Sequence, residues 1–366
     1  MSPWRKRMSQ QAADTQVRDA KTASDTAPQA PESTQSRSDA VQRTSMVGAL
    51  NLALGHEMQH NDRVVMFGVD VGTLGGVFRV TDGLTERFGE ERCFDTPISE
   101  AGIMGAAIGM AMYGFRPVIE MQFDAFGYPA FEQMVSNLAK MRNRTRGDLS
   151  MPVVVRMPYG GGVGAVEHHS DSSEGYAAHT PGLHVYTPSN PSDAYHMLRQ
   201  AIRSDDPVIF YEPKRLYWEE GDLDTSANPL PIGQARICRP GEDVTLISYG
   251  PTVPMALAAA ETAAEYGYSV EVIDLRTLTP FDEHTVCESV MRTGRAVMVH
   301  EAPQTGGFGA EVVARITSRC FDYLERPVER VTGLDVPYPP PGLEHLYLPN
   351  EEKILGAIAT LYTEND

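Results

Sequence analysis

Chemistry in this chain starts from one acid and the small residues behind it. In Asp95-Thr96-Pro97-Ile98-Ser99-Glu100 a carboxylate stands where a helix should begin, and Ala101, Gly102, Gly105, Ala106, Ala107, Gly109 and Ala111 follow it. Ser99 is expected to cap that helix, and the small residues let another backbone or a flat ligand approach closely. Glu100 would then sit at the mouth of a narrow, dry cleft. A carboxyl group there holds its proton readily and can share a short hydrogen bond with a ring nitrogen of a ligand. Taken alone, the same glutamate reads more simply as an acid favoured by the positive end of the helix dipole.

Further candidates follow downstream. Gln122 and Phe126 come after a buried-looking strand, spaced so that both reach the lip of one cleft. By themselves they are a strand-end amide and an ordinary core aromatic. The loop Tyr159-Gly160-Gly161-Gly162-Val163-Gly164-Ala165 is expected to be flexible, and it delivers His168-His169-Ser170. Imidazoles on such a loop can bring a proton donor to a substrate carbonyl. Loop histidines more often simply face solvent.

The elements that must position these residues alternate strand and helix, which implies parallel sheets covered on both faces. Strands are expected at Val64 to Gly68, Val118 to Gln122, Val153 to Met157 and Val208 to Tyr211. Helices are expected at Met46 to His60, after Ser99, at Tyr128 to Arg142 and at Ser192 to Ile202. They give a doubly wound parallel-sheet domain over 44–218, then a Pro- and acid-rich linker over 219–231. A smaller α/β domain over 232–366 repeats the alternation, from the strand Val244 to Ser248 to the helix Gly309 to Tyr323. Residues 1–43, rich in Ser, Thr, Gln, Ala, Asp and Pro, read as a disordered tail. Its basic start, Arg5-Lys6-Arg7, is followed by too many acids for an organelle-targeting peptide, and it has no apolar core for a secretory signal.

Composition narrows the partners. The 31 basic and 49 acidic side chains give a formal charge of −18, the wrong sign for a nucleic-acid surface. No apolar stretch spans a bilayer, because Glu261 and Glu265 break the alanine-rich segment after Pro254. Cys93, Cys238, Cys287 and Cys320 are far apart in sequence and form no C-x-x-C pair, so neither a zinc site nor a disulfide framework is indicated. A bacterial cytoplasmic protein is expected.

From Met46 to about Glu352 the chain resembles the beta subunit of the E1 component of 2-oxoacid dehydrogenase complexes. Blocks that carry the resemblance include Gly72-Thr73-Leu74-Gly75-Gly76-Val77-Phe78-Arg79, Cys93-Phe94-Asp95-Thr96-Pro97-Ile98-Ser99-Glu100, and Arg116-Pro117-Val118-Ile119-Glu120-Met121-Gln122-Phe123. Others are His168-His169-Ser170, Thr180-Pro181-Gly182-Leu183, Val270-Glu271-Val272-Ile273-Asp274-Leu275-Arg276, and Asp335-Val336-Pro337-Tyr338-Pro339. The resemblance implies the thiamine-diphosphate fold, a pyrimidine-binding domain followed by the C-terminal domain shared with transketolases. It implies that Glu100 bonds N1' of the cofactor's aminopyrimidine, that Phe126 packs beside that ring, and that Gln122 lines the pocket. His169 matches a residue that stabilises the intermediate and serves transfer to the lipoyl group, with His168 as its neighbour.

Three positions depart from the family pattern. Val69 stands where an acid is usual, Asp124-Ala125 reverses the usual order before the aromatic, and Asp171 replaces a glutamine. No Gly-Asp-Gly occurs in the chain, although enzymes that bind the whole cofactor use it to ligate the magnesium on the diphosphate. The resemblance therefore implies a separate E1 alpha subunit in an α2β2 heterotetramer, which supplies the Mg2+ and phosphate half, and a lipoyl-bearing E2 acyltransferase. In relatives of the branched-chain type a potassium ion is held by carbonyls, and the matching positions are Met151, Val153, Val154, Ala201, Ser204 and Asp206. The expected reaction is oxidative decarboxylation of a 2-oxoacid with reductive acylation of lipoyl, branched-chain substrates favoured over pyruvate. A noncatalytic subunit that docks the acyltransferase is the alternative from another class, and a self-sufficient transketolase-like enzyme is disfavoured.

Overall fold

The computed structural model describes residues 41–363. The tail expectation for residues before 41 lies outside the described residues. Val41–Ser45, partly assigned to that tail, forms strand β1.

Further strands are β2 Val64–Gly68, β3 Cys93–Asp95, β4 Arg116–Glu120, β5 Val154–Tyr159, β6 His184–Tyr186, β7 Val208–Pro213 and β8 Glu220–Asp224. Then come β9 Arg236–Arg239, β10 Val244–Ser248, β11 Val270–Asp274, β12 Thr277–Thr279, β13 Ala296–Pro303 and β14 Glu329–Gly333. The longer helices are α1 Met46–His60, α2 Glu100–Met112, α3 Pro191–Arg203, α4 Val253–Glu265, α5 Glu283–Thr293, α6 Phe308–Cys320 and α7 Glu351–Thr360. A seven-stranded sheet runs β12-β6-β7-β5-β4-β2-β3, and a five-stranded sheet runs β14-β13-β10-β11-β9. Both are parallel except at one edge, where β12 and β9 run antiparallel.

Alternation along each strand explains the layers. On β2, Val64 and Met66 face one core with Leu50 and Leu54 of α1 and Leu198 of α3, while Val65 and Phe67 face another with Ile103 and Met104 of α2. In the second sheet, Leu246 packs against Ala256 and Ala260 of α4, and Ile247 on the opposite face joins the core that also holds Tyr159 and Tyr211. One apolar core therefore runs through both sheets. The centre of the first sheet also holds Arg156, fully buried, whose Nε and Nη2 donate to Glu212 at 2.7 and 2.8 Å and whose Nη1 pairs with Glu120.

Expectation and structure differ in several places. Residues 128–142 do not form one helix. The chain makes a 3₁₀ turn over Asp124–Ala130, a wide turn over Gln133–Asn137, another 3₁₀ turn over Leu138–Lys140 and a single α turn over Met141–Arg144. Pro129, inside the first turn, has no N–H to give an α-helical ladder. The stretch 219–231 is more than a linker, because β8 within it pairs antiparallel with β1. Cys287 and Cys320, remote in sequence, lie together as free thiols, with Cys320 Sγ 3.8 Å from the Cys287 carbonyl. Among the described residues no helix is long and apolar enough to cross a membrane.

Candidate functional site

Strands β2, β3, β4, β5 and β7 run parallel, with Gly68 level with Asp95 and Glu120, and Tyr159 level with Pro213. The loops that leave these ends carry Glu100, Gln122, Phe126 and His169. This is the edge where open parallel sheets bind ligands. The sequence-predicted residues thus converge from separate segments onto one rim.

Glu100 is the first residue of α2 and is half-buried. Ser99 does not cap the helix as expected. Ser45, Asn190 and Asn350 cap their helices with ψ of 164, 162 and 171°, whereas Ser99 has ψ 76° and its hydroxyl, although beside Gly102, accepts no first-turn amide. Asp95 fixes the approach instead. Its carboxylate accepts the N–H of Gly72 at 2.6 Å and of Thr73 at 3.1 Å, and the Thr96 N–H donates to the Gly68 carbonyl at 2.9 Å. Burial pushes the Asp95 carboxyl up, but those amides outweigh it and leave it below the ordinary value. Ala101, Gly102, Ala106 and Gly109 lie exposed along α2, while Ile103, Met104 and Ala107 are buried beneath. The small residues thus form an open face.

α2 packs on the Asp124–Ala130 turn, which carries Phe126. Gln122, just before it, donates from Nε2 to Asp70 Oδ2 at 3.0 Å. Val69, where an acid was expected, packs against the core, and the polar role at this corner falls to Asp70.

The histidine turn, Glu167–His169, lies against the same segment. The His169 ring centre is 4.5 Å from that of Phe123 and 5.2 Å from that of Phe126, and His168 lies 5.9 Å from Phe126. His169 is half-buried and His168 exposed. The Nδ1 of His169 is buried with no hydrogen-bond partner among the described residues. Burial, then His168 and Lys214, lowers the His169 pKa, so the ring is neutral at pH 7 and retains basic capacity.

The loop before this turn is not loose. The Gly161 N–H donates to Glu301, whose other oxygen pairs with Arg215. Gly162 donates to the Tyr338 hydroxyl at 3.0 Å, and Gly162 and Gly164 both reach Glu344 Oε1 at 3.3 Å. The glycines serve close approach: a Cβ on Gly161 would overlap the Tyr338 ring.

Sequence reasoning passed over Phe123 and Lys214. Lys214 directly follows β7, a buried strand that ends at the same rim. A pair of cations, Lys214 and Arg215, immediately after a buried strand at the edge where ligands bind was the available signal. Asp124, noted only as a departure, is buried beneath the aromatic turn.

The potassium positions form two adjacent segments, joined where the Met151 N–H donates to the Asp205 carbonyl at 3.0 Å. Arg116 already serves this corner: Nε donates to the Ile202 carbonyl at 2.7 Å, Nη2 to the Ser204 carbonyl, and Nη1 to Asp205 at 3.2 Å. Arg142 pairs with Asp206. Among the six candidate positions, guanidinium groups thus meet one main-chain carbonyl, that of Ser204, and one side chain, that of Asp206. No group of three or more His, Cys, Asp or Glu side chains suited to a metal occurs among the described residues.

Comparison with known proteins gives the same architecture. Residues 42–219 match the transketolase pyrimidine binding domain, and residues 233–354 the transketolase C-terminal domain. The chain is 52% identical over 318 residues to the pyruvate dehydrogenase E1 component subunit beta of Leifsonia xyli, covering 87% of this chain and 94% of that protein. It is 52% identical over 322 residues to the 3-methyl-2-oxobutanoate dehydrogenase subunit beta of Mycobacterium tuberculosis, covering 88% and 92%. With the 2-oxoisovalerate dehydrogenase subunit beta of Bacillus subtilis it shares 44% over 320 residues, covering 87% and 98%. A solved structure described as a split gene transketolase, inactive beta4 tetramer, aligns with TM-score 0.72 at 22% identity, covering 87% of this chain and 97% of that one.

Proposed function

We propose, since the chain belongs to the beta-subunit family of 2-oxoacid dehydrogenase E1 components, that it forms the pyrimidine-binding half of a thiamine-diphosphate site completed by an alpha subunit. The observation that carries this is the convergence on one sheet rim of the α2 start bearing Glu100, the Phe123 and Phe126 rings, and the unpartnered His169 Nδ1. These residues fit a flat, nitrogen-bearing ring: an acid at its edge, aromatic carbon beside it, and an open face of small residues.

Bound thiamine diphosphate supplies a nucleophilic carbon and an electron sink for decarboxylation. Glu100 holds a proton at the pyrimidine nitrogen N1' and selects the reactive tautomer. Phe126 packs beside the ring and keeps water out, and Gln122, oriented by Asp70, lines the pocket. His169 enters neutral, takes or gives a proton at the substrate oxygen, and guides the acyl group to the lipoyl arm of an E2 acyltransferase. The alpha subunit holds Mg2+ and the diphosphate, for which this chain has no Gly-Asp-Gly. The two E1 subunits form an α2β2 heterotetramer acting in the bacterial cytoplasm on a branched-chain 2-oxoacid.

Reconstitution with the alpha subunit, assayed with 3-methyl-2-oxobutanoate and with pyruvate, tests this. Turnover of the branched-chain acid with the higher kcat/KM is expected. Preference for pyruvate would reassign the substrate, and activity of the beta chain alone would refute the shared site.

A further inference from the structure

We propose that Lys214 is a positioning residue whose buried ammonium balances Asp124 and Asp171, the carboxylates that clasp the loop bearing His169 to the turn bearing Phe126. This rests on the reading of His169 given above. Lys214 is 2% exposed, and its Nζ has no hydrogen-bond partner among the described residues. It stands 5.5 Å from the centre of the Phe123 ring, whose centre lies 4.5 Å from that of His169. Asp124, 1% exposed, accepts the Ser173 N–H on Oδ2 at 3.1 Å and leaves Oδ1 unpartnered. Asp171 accepts the Tyr128 hydroxyl at 3.0 Å. Asp124 and Tyr128 belong to one turn, and Asp171 and Ser173 to the loop that follows His169, so the same two pieces of chain are joined twice.

The charges around Lys214 are Asp124, Glu301 and Asp171, with Arg215 opposing; Asp124 in turn faces Asp171 and Glu174. Glu301 is already committed to Arg215 and the Gly161 N–H. Lys214 is therefore the cation left for Asp124 and Asp171, and removing one partner of a buried charge pair leaves the other uncompensated. Burial brings the two groups together, raising Asp124 to about 8 and lowering Lys214 to about 8. Above that pH Asp124 takes on its negative charge as the ammonium gives up its proton, so Asp124 and Asp171 are left uncompensated and the clasp loosens in alkali.

Hydrogen exchange of residues 160–173, measured by mass spectrometry on the full chain and on the assembled enzyme and corrected for intrinsic rates, tests this. Lys214→Met should speed loop exchange about 10-fold, the equivalent of ~1.4 kcal/mol, while Lys214→Arg stays close to wild type. The charge-balanced double variant Lys214→Met with Asp124→Asn should recover most of the protection. Wild-type protection should fall between pH 7 and 9, and that of the double variant should not. Equal protection in Lys214→Met and wild type, or a double variant as loose as the single, would overturn the proposal. Exchange is read without substrate, so an absence of 2-oxoacid turnover would count against the functional reading and leave the clasp standing.

Discussion

Gly161 lies directly beneath Tyr338, so close that the tyrosine ring occupies the space a Cβ would need. The Tyr338 hydroxyl, which bonds Glu344 at 2.7 Å, receives the next amide along, that of Gly162. The loop leading to His169 is thus fastened by the smaller domain.

Gly161→Ala should displace Tyr338 and cost about 1–3 kcal/mol, as overpacking does. Thermal denaturation reads the loss. Adding Tyr338→Ala to the same chain should recover part of it, and an unchanged midpoint for Gly161→Ala would contradict the geometry.

Glu100→Gln in the reconstituted enzyme should leave the fold intact and lower turnover by at least ~100-fold, the low end of acid–base contributions. Circular dichroism and steady-state rates together separate the two effects. Near-normal turnover would remove Glu100 from the mechanism.

The neighbouring histidines should behave differently. His169→Ala should impair reductive acyl transfer more than decarboxylation followed with an artificial electron acceptor, and exposed His168→Ala should change both far less. The reverse ranking would move the role to His168.

His300, fully buried beside Tyr249, has its pKa pushed down to about 4, by burial first and then by Arg330. Its folded value lies below the ordinary 6.5, so the unfolded chain binds the proton more readily between the two. Stability from this residue is complete above about pH 6.5 and is lost as the pH falls towards 4, by about 3 kcal/mol at the bottom of that window. Urea titrations of wild type and His300→Leu should show this acid limb in the first and a shallower one in the second.

Arg116→Ala should cost ~1–3 kcal/mol, because it frees buried carbonyls at the end of α3. The wild-type thermal midpoint should be the same in potassium and sodium chloride at equal ionic strength. A potassium-specific rise would place the ion at this corner.

Much of the framework was legible because local signals agreed. Met46–His60 was bounded correctly in the sequence, since Ser45 supplies a cap and the apolar positions recur at helical spacing. The stretch 128–142 was misread as one helix, because Pro129 near its start cannot join an α-helical ladder and short turns replace it. Glu100, Phe126 and His169 were reached through motif resemblance, and their strand-end placement explains why distant blocks meet. Lys214, Glu301 and Tyr338 were invisible as site-supporting residues, because their partners lie far away in sequence and no local spacing encodes such a contact.

Strand β12, contributed by the second half of the chain, forms the outer edge of the first half's sheet by pairing with β6. An excised fragment ending near residue 231 would present β6 as a bare edge, and bare edges recruit foreign strands. The halves are therefore separable by sequence comparison but not by scissors: dissection should yield aggregates, whereas full-length expression should not.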